Sequence, residues 1–277
     1  MENRSFTELL LGEQQLHGKG SANPLKFIGC TFEDGKLTAV KSYCESQESD
    51  ERGFYSFGKE KAVSDFVNTK GLKTKALEAE IRSFAKRAFS GDLFSAGKSG
   101  AAGSGFDADT VSDRIILDLR KVLEFNGGSM NPLFDLGVLR SSDGLLKEIK
   151  YYLCVEKYEK QEPVDNLGLV KDLCGGVFVP GKAARELWQL SYRPTLFGVN
   201  VFYDGRLEYK LYFDVGRAPG FCGDLLGNSK KALCTVADLV TVSEADLDVL
   251  FEHGLFLRGV GLEPRLERVV RLYFDAV

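Results

Sequence analysis

The chain has 277 residues and a mass of 30.6 kDa, and with 44% hydrophobic residues it can bury a large core; we read residues 1–277 as one domain. A formal net charge of -4 and a pI near 5.5 exclude the broad basic surface of a nucleic-acid binder, so any cations that matter must be clustered. Six cysteines without CxxC spacing and two histidines argue against a disulfide scaffold or a zinc site, and no run approaches the roughly 18 apolar residues of a membrane span, so a soluble cytoplasmic protein is expected.

In chain order, the acidic, amphipathic start MENRSFTELLLGEQQLHGKG precedes a hairpin pattern at 32–43, FEDGKLTAVKSY. Two strong helical patterns follow, LKTKALEAEIRSFAKRAF and DADTVSDRIILDLRKVLEF; in the second, Val111, Ile115, Ile116, Leu119, Val122 and Leu123 form one apolar stripe. Between them, 91–106 reads as a flexible loop. Its Ala96-Gly97-Lys98-Ser99 is not a P-loop, because the preceding Gly91 is one residue too far away and a helix, not a strand, leads into it. A second hairpin pattern, SSDGLLKEIKYY, occupies 141–152, followed by the helical pair VDNLGLVKDLC and GKAARELWQL.

The third hairpin, LFGVNVFYDGRLEYKLYFDV at 196–215, carries Asp204-Gly205, which predicts a two-residue type I′ turn. Two more helices are expected over 228–254, the second opening on a Ser243/Asp246 capping box, with His253 at its C-terminal end. The closing segment GLFLRGVGLEPRLERVVRLYFDAV turns at Glu263-Pro264. The unit is helix, helix, strand, strand, and the cations of its last three copies, Lys150, Lys210 and Arg271, are spaced 60 and 61 residues apart.

Strand alternation gives the repeat its meaning. Tyr209, Leu211, Phe213 and Val215 form the face that helices would cover, whereas the other face repeats a cation and a tyrosine two residues apart. Those pairs are Lys41 with Tyr43, Lys150 with Tyr152, Lys210 with Tyr212, and Arg271 with Tyr273. For one hairpin, an open sheet with that face in water is the alternative, and Lys210 paired to Glu208 or Asp214 is a structural one. Four copies favour an α+β fold in which a closed antiparallel β-barrel of ααββ repeats, helices outside, gathers the pairs in one lumen.

A ring of three lysines and an arginine suits a diphosphate, and tyrosine faces suit a carbocation. Together they favour ionisation of an allylic diphosphate and alkylation of an electron-rich acceptor. Glu148, Glu208, Asp214 and Asp275 are the carboxylates on that face, able to hold Mg²⁺ against a diphosphate or to act as a base. Glu148 and Asp214 are the catalytic candidates; no residue is assigned as a metal ligand.

The stretches LFGVNVFYDGRLEYKLYFDV, RVVRLYFD and, more loosely, FEDGKLTAVKSY and PLFDLGVLRSSDGLLKEIKYYLCV resemble the aromatic prenyltransferases of the ABBA (PT barrel) fold, most of all the cyanobactin peptide prenyltransferases. GVGLEP is similar to a turn in the small-molecule branch. The resemblance implies that Lys41, Lys150, Lys210 and Arg271 bind an isoprenyl diphosphate, dimethylallyl or geranyl, with Mg²⁺ as cofactor, while Tyr43, Tyr152, Tyr212 and Tyr273 shield the allylic cation. It implies an acceptor in a peptide natural product (a RiPP), possibly macrocyclic, or a small aromatic molecule. Two departures stand out. The acidic residue expected on the first strand is replaced by Lys26-Phe27-Ile28, and only four of five hairpin units are visible, so the fifth is expected between 44 and 130. These departures keep open a non-catalytic binding module on the same fold.

Overall fold

The computed structural model describes residues 5–17, 24–46, 51–57, 62–69, 71–90, 107–128, 131–142, 144–159, 162–176, 180–190, 192–215, 224–264 and 268–276. The loop expected over 91–106, Cys222 and Asp143 of the second Asp-Gly turn lie outside them.

Among the described residues the chain begins with α1 (Phe6–Leu16) and two consecutive hairpins, β1 (Leu25–Glu33) with β2 (Lys36–Cys44) and β3 (Glu51–Phe57) with β4 (Ala62–Asn68). The helices α2 (Thr74–Ser90) and α3 (Ala108–Phe125) precede β5 (Leu133–Ser141) and β6 (Leu146–Cys154). A short ribbon, β7 (Tyr158–Glu159) and β8 (Glu162–Pro163), leads to α4 (Leu167–Leu173), α5 (Lys182–Gln189), β9 (Pro194–Phe202) and β10 (Leu207–Asp214). The last unit is α6 (Leu225–Val236), α7 (Glu244–Glu252), β11 (Leu255–Leu262) and β12 (Val269–Ala276).

Ten strands close in the order β1, β12, β11, β10, β9, β6, β5, β4, β3, β2, with every neighbouring pair antiparallel, so the sheet has no free edge. The expected closed α+β barrel is therefore present. Closure is made by β1 against β12, with Gly29 opposite Tyr273 and Thr31 opposite Arg271.

The helices cover the outer face. In α3, Val111, Ile115, Ile116, Leu119 and Val122 are buried, and α2 contributes Leu77, Ile81 and Phe84 at helical spacing. Each such side chain contributes about 1.5–3 kcal/mol of burial. Tyr209, Leu211, Phe213 and Val215 are buried in the same layer. One polar knot lies within it: Asp118, fully buried, accepts from Tyr151 Oη at 2.7 Å and Arg114 Nε at 2.9 Å, and Arg114 Nη2 donates to Tyr209 Oη at 3.2 Å. The helix α7 opens on the predicted capping box, with Ser243 and Asp246 bonding each other's backbone N–H, and ends on His253.

The fifth hairpin lies between 44 and 130 as expected, and two expectations are corrected: the regular helix-helix-strand-strand unit and the position of the type I′ turn. The fifth hairpin is β3–β4, directly after β1–β2, so the helix pair stands before only three of the five hairpins. Its second strand carries Ser64 and Phe66 where the others carry a cation and a tyrosine, which hid it from the repeat pattern. The type I′ turn lies at Asp34-Gly35 (φ 49° and 79°), between strands that end at Glu33 and begin at Lys36. At Asp204-Gly205 only Gly205 has positive φ (82°), and Gly205 N–H bonds Phe202 O, so the loop is a longer one built on a tight turn followed by a left-handed glycine.

Candidate active site

Alternation along the strands sorts the lumen into layers. From the second strand of each hairpin, residues two apart point inward: Lys41 and Tyr43, Ser64 and Phe66, Lys150 and Tyr152, Lys210 and Tyr212, Arg271 and Tyr273. From the first strand of each comes a glycine: Gly29, Gly53, Gly137, Gly198 and Gly261. These glycines make room for the large side chains. Gly198 lies opposite Tyr152 and Lys210, and a Cβ there would meet Tyr152 Cε1 at 2.9 Å and Tyr212 Cε2 at 3.0 Å. At Gly53 it would collide with the aliphatic stem of Lys41.

The aromatic layer is continuous. Ring centroids lie 6.3 Å apart for Tyr43–Phe66, 5.9 Å for Phe66–Tyr152, 5.7 Å for Tyr152–Tyr212 and 5.4 Å for Tyr212–Tyr273. Phe27 completes the circuit, 4.2 Å from Tyr43 and 6.0 Å from Tyr273. Burial raises the pKa of all four tyrosines, so their phenols stay protonated and able to donate; Tyr273 Oη donates to Tyr212 Oη at 3.4 Å.

This belt divides the lumen. On one side is a polar cavity of about 120 Å³ lined by Lys41, Lys150, Lys210, Arg271, Glu148, Glu208 and Asn200. On the other is a more apolar cavity of about 280 Å³ lined by Phe27, Phe134, Leu196 and Phe213, with Glu51, Asp135, Asp214, Asp275 and Arg258. All four belt tyrosines line both.

In the polar cavity two glutamates compensate part of the positive charge. Lys150 Nζ is 2.8 Å from Glu148 Oε1, and Glu148 Oε2 accepts from Asn200 Nδ2 at 2.9 Å. Burial disfavours both charges, but their mutual attraction prevails: the Lys150 pKa is raised and that of Glu148 lowered. Glu208 Oε1 accepts from Arg271 Nη2 at 2.6 Å and lies 3.7 Å from Lys210 Nζ. Burial opposes the Glu208 charge, yet Lys210 and Arg271 bring its pKa down to about 2. Lys210 is pushed down to about 7, by burial and then by Arg271, because the guanidinium holds the nearer position on their shared oxygen.

Lys41 differs. Its Nζ is buried without a hydrogen-bond partner among the described residues, and it sits over the rings of Tyr43, Tyr55 and Phe66 at 4.3, 5.2 and 5.2 Å.

Across the belt, Arg258 bridges Asp214 at 3.1 Å and Asp275 at 3.7 Å, so these strand-end carboxylates are part-buried and not fully in water. Arg258 stands at a bulge between Leu257 and Gly259 on β11, a device that re-aims a side chain. Asp275 has a raised pKa, from burial against the pull of Arg258 and with added repulsion from Asp214. Among the described residues no three His, Cys, Asp or Glu side chains come together in a metal-binding group. Glu148 and Glu208 face lysine or arginine.

The four expected cations and four expected tyrosines thus meet around one lumen. The two candidate bases do not: Glu148 is on the cation side of the belt and Asp214 on the far side. Arg258, Asn200, Tyr55 and Phe66 were not singled out by sequence; the five lumen glycines, one per hairpin, were the available signal.

No protein-family model matches the chain, and no curated protein matches it. Among solved structures, the crystal structure of AnaPT from Neosartorya fischeri is similar, with a TM-score of 0.50 at 13% identity over 91% of this chain and 78% of that one. At this identity the likeness establishes the fold, which is the ABBA, or PT, barrel. Among the described residues no helix is long and apolar enough to cross a membrane.

Proposed function

We propose that this chain is a prenyltransferase that moves a dimethylallyl or geranyl group from its diphosphate to an electron-rich side chain of a peptide natural product. The observation that carries the reading is the layering: a buried cation cluster separated by a closed aromatic belt from an apolar, open-mouthed cavity. The diphosphate occupies the polar cavity and the isoprenyl carbons reach the belt. Lys150, Lys210 and Arg271 stabilise the diphosphate as the allylic C–O bond breaks and the electron pair leaves with oxygen. The carbocation then lies among ring faces that attract it and exclude water. The acceptor enters from the apolar side, its nucleophilic atom bonds the allylic carbon, and its proton passes to Asp214, the candidate base on that side.

The test is incubation with dimethylallyl or geranyl diphosphate, with Mg²⁺ and with EDTA, against Tyr-, Trp-, His- and Arg-containing cyclic peptides and small phenols and indoles. A prenyl mass gain on a peptide supports the reading, and gain only on small aromatics moves the acceptor class. Diphosphate binding without any transfer favours a binding module, a reading motivated by Phe27 standing where a first-strand carboxylate is expected.

A further inference from the structure

Three buried side-chain atoms without a hydrogen-bond partner among the described residues, Lys41 Nζ, Asn200 Oδ1 and Arg271 Nη1, belong to residues that line one cavity. Two of them are nitrogens able to donate to an anion. Arg271 already has Glu208, so its free Nη1 is a spare donor on a compensated cation. Lys41 has no such partner. Its own strand presents the Tyr43 ring, β3 presents Tyr55 and Glu51, β4 presents Phe66, β6 presents Lys150 and Glu148, and β10 presents Lys210. Glu148 is already engaged by Lys150 and Asn200.

An ammonium at this position would be buried against rings with two like charges nearby. Ring faces attract a cation but supply neither a hydrogen-bond acceptor nor a full opposite charge, so they do not replace the water that an ammonium loses here. Burial, then repulsion by Lys150, accordingly hold the Lys41 pKa well below its usual value. A multiply charged anion in the cavity would reverse that balance, because each phosphate oxygen replaces lost water and supplies opposite charge.

We propose that Lys41 is an anion-binding position of the cavity and that it takes up its proton together with the ligand, so that the site binds a diphosphate and a proton as one event. The inference rests on the reading of the polar cavity as a diphosphate site. It adds that the cavity is closer to neutral than its four basic side chains suggest, with Glu148 and Glu208 opposing two charges and burial disfavouring the charge on Lys41. Product departure then returns the proton to solvent, and affinity falls as pH rises above the value at which free Lys41 titrates.

The experiment is calorimetric titration with dimethylallyl S-thiolodiphosphate, a non-ionising donor analogue, at pH 8 in two buffers of different ionisation enthalpy. Wild-type protein is expected to bind with net proton uptake, and its Kd to rise by up to about tenfold per pH unit above the free Lys41 pKa. Lys41→Arg, permanently charged, should bind with about one proton less taken up, and Lys41→Met should bind more weakly with the same loss. Residual uptake in both variants belongs to Lys210. Binding without proton uptake in the wild type, or uptake unchanged in Lys41→Arg, overturns the inference while leaving the diphosphate site standing. Absence of binding at every pH overturns both. Should neither variant fold, the same titration of Lys210→Arg decides, because Lys210 can then supply no proton uptake: uptake in that variant supports the inference and a flat profile overturns it.

Discussion

Arg271 reaches Glu208 across a strand that places no side chain between them: Nη2 and Oε1 are 2.6 Å apart, one residue on β12 and the other on β10, with Gly261 of the intervening β11 directly beside Arg271. A Cβ at Gly261 would come within 3.3 Å of Arg271 Cβ and 3.2 Å of Tyr212 Cε1. Glu208 therefore anchors two cations, Arg271 and Lys210. Replacing it by Gln should destabilise the free protein by roughly 1.5–3 kcal/mol, the range for hydrogen bonds to charged groups. Inorganic diphosphate should then raise the melting temperature of Glu208→Gln more than that of wild type, since it supplies the missing negative charge. Thermal unfolding of both proteins with and without diphosphate checks this; an equal shift contradicts it.

The same residue sets an acid sensitivity. Glu208 titrates near 4.5 when unfolded and at about 2 when folded, so the unfolded chain binds more protons between those values. Its contribution is present above pH 4.5 and is lost as pH falls towards 2. Urea unfolding at pH 6 and pH 3 should show a larger loss for wild type than for Glu208→Gln; parallel losses would mean that the pairing with Arg271 and Lys210 adds nothing.

The lumen glycines should behave unlike a surface glycine. Gly198→Ala places a methyl against Tyr152 and Tyr212 at about 3 Å and should cost about 1–3 kcal/mol by overpacking, with slower transfer because both rings belong to the belt. Gly12, inside α1 with open space around it, should gain about 0.5–1 kcal/mol as Ala and leave transfer unchanged. Chemical denaturation and kcat of the two variants make the comparison.

Asp118 lies outside the lumen, yet it ties α3 to Tyr151, the neighbour of Lys150 and Tyr152 on β6. Removing one partner of a buried charged network leaves Arg114 and Tyr151 unsatisfied, so Asp118→Ala should lose about 3–5 kcal/mol. Diphosphate affinity at a temperature where the variant remains folded should be unchanged, because no cavity group is touched. A stable variant with weakened affinity would give Asp118 a positioning role instead.

Much of this design was readable in the residue order. Period-2 alternation and the recurring cation-x-tyrosine placed Lys41, Lys150, Lys210 and Arg271 on one face, and the need to cover the opposite apolar face called for external helices. The β3–β4 hairpin escaped because Ser64 and Phe66 break the cation-tyrosine rule while obeying the same geometry. Pairing choices were also hidden. That Glu148 serves Lys150 whereas Glu208 serves Arg271 ahead of Lys210 depends on strand stagger, and the separation of Asp214 from Glu148 by the belt depends on how far along its strand each residue lies. Local sequence specifies which face a side chain takes; depth along the barrel is set by the register of all ten strands.

The central assignment is that the polar cavity receives an allylic diphosphate. Titration calorimetry of wild type, Lys210→Met and Arg271→Met with dimethylallyl S-thiolodiphosphate addresses it most directly. Saturable one-to-one binding by wild type, weakened at least about tenfold in each variant through loss of a charge-assisted contact, is the predicted result. Undetectable binding by wild type, or equal affinity in all three, would contradict it.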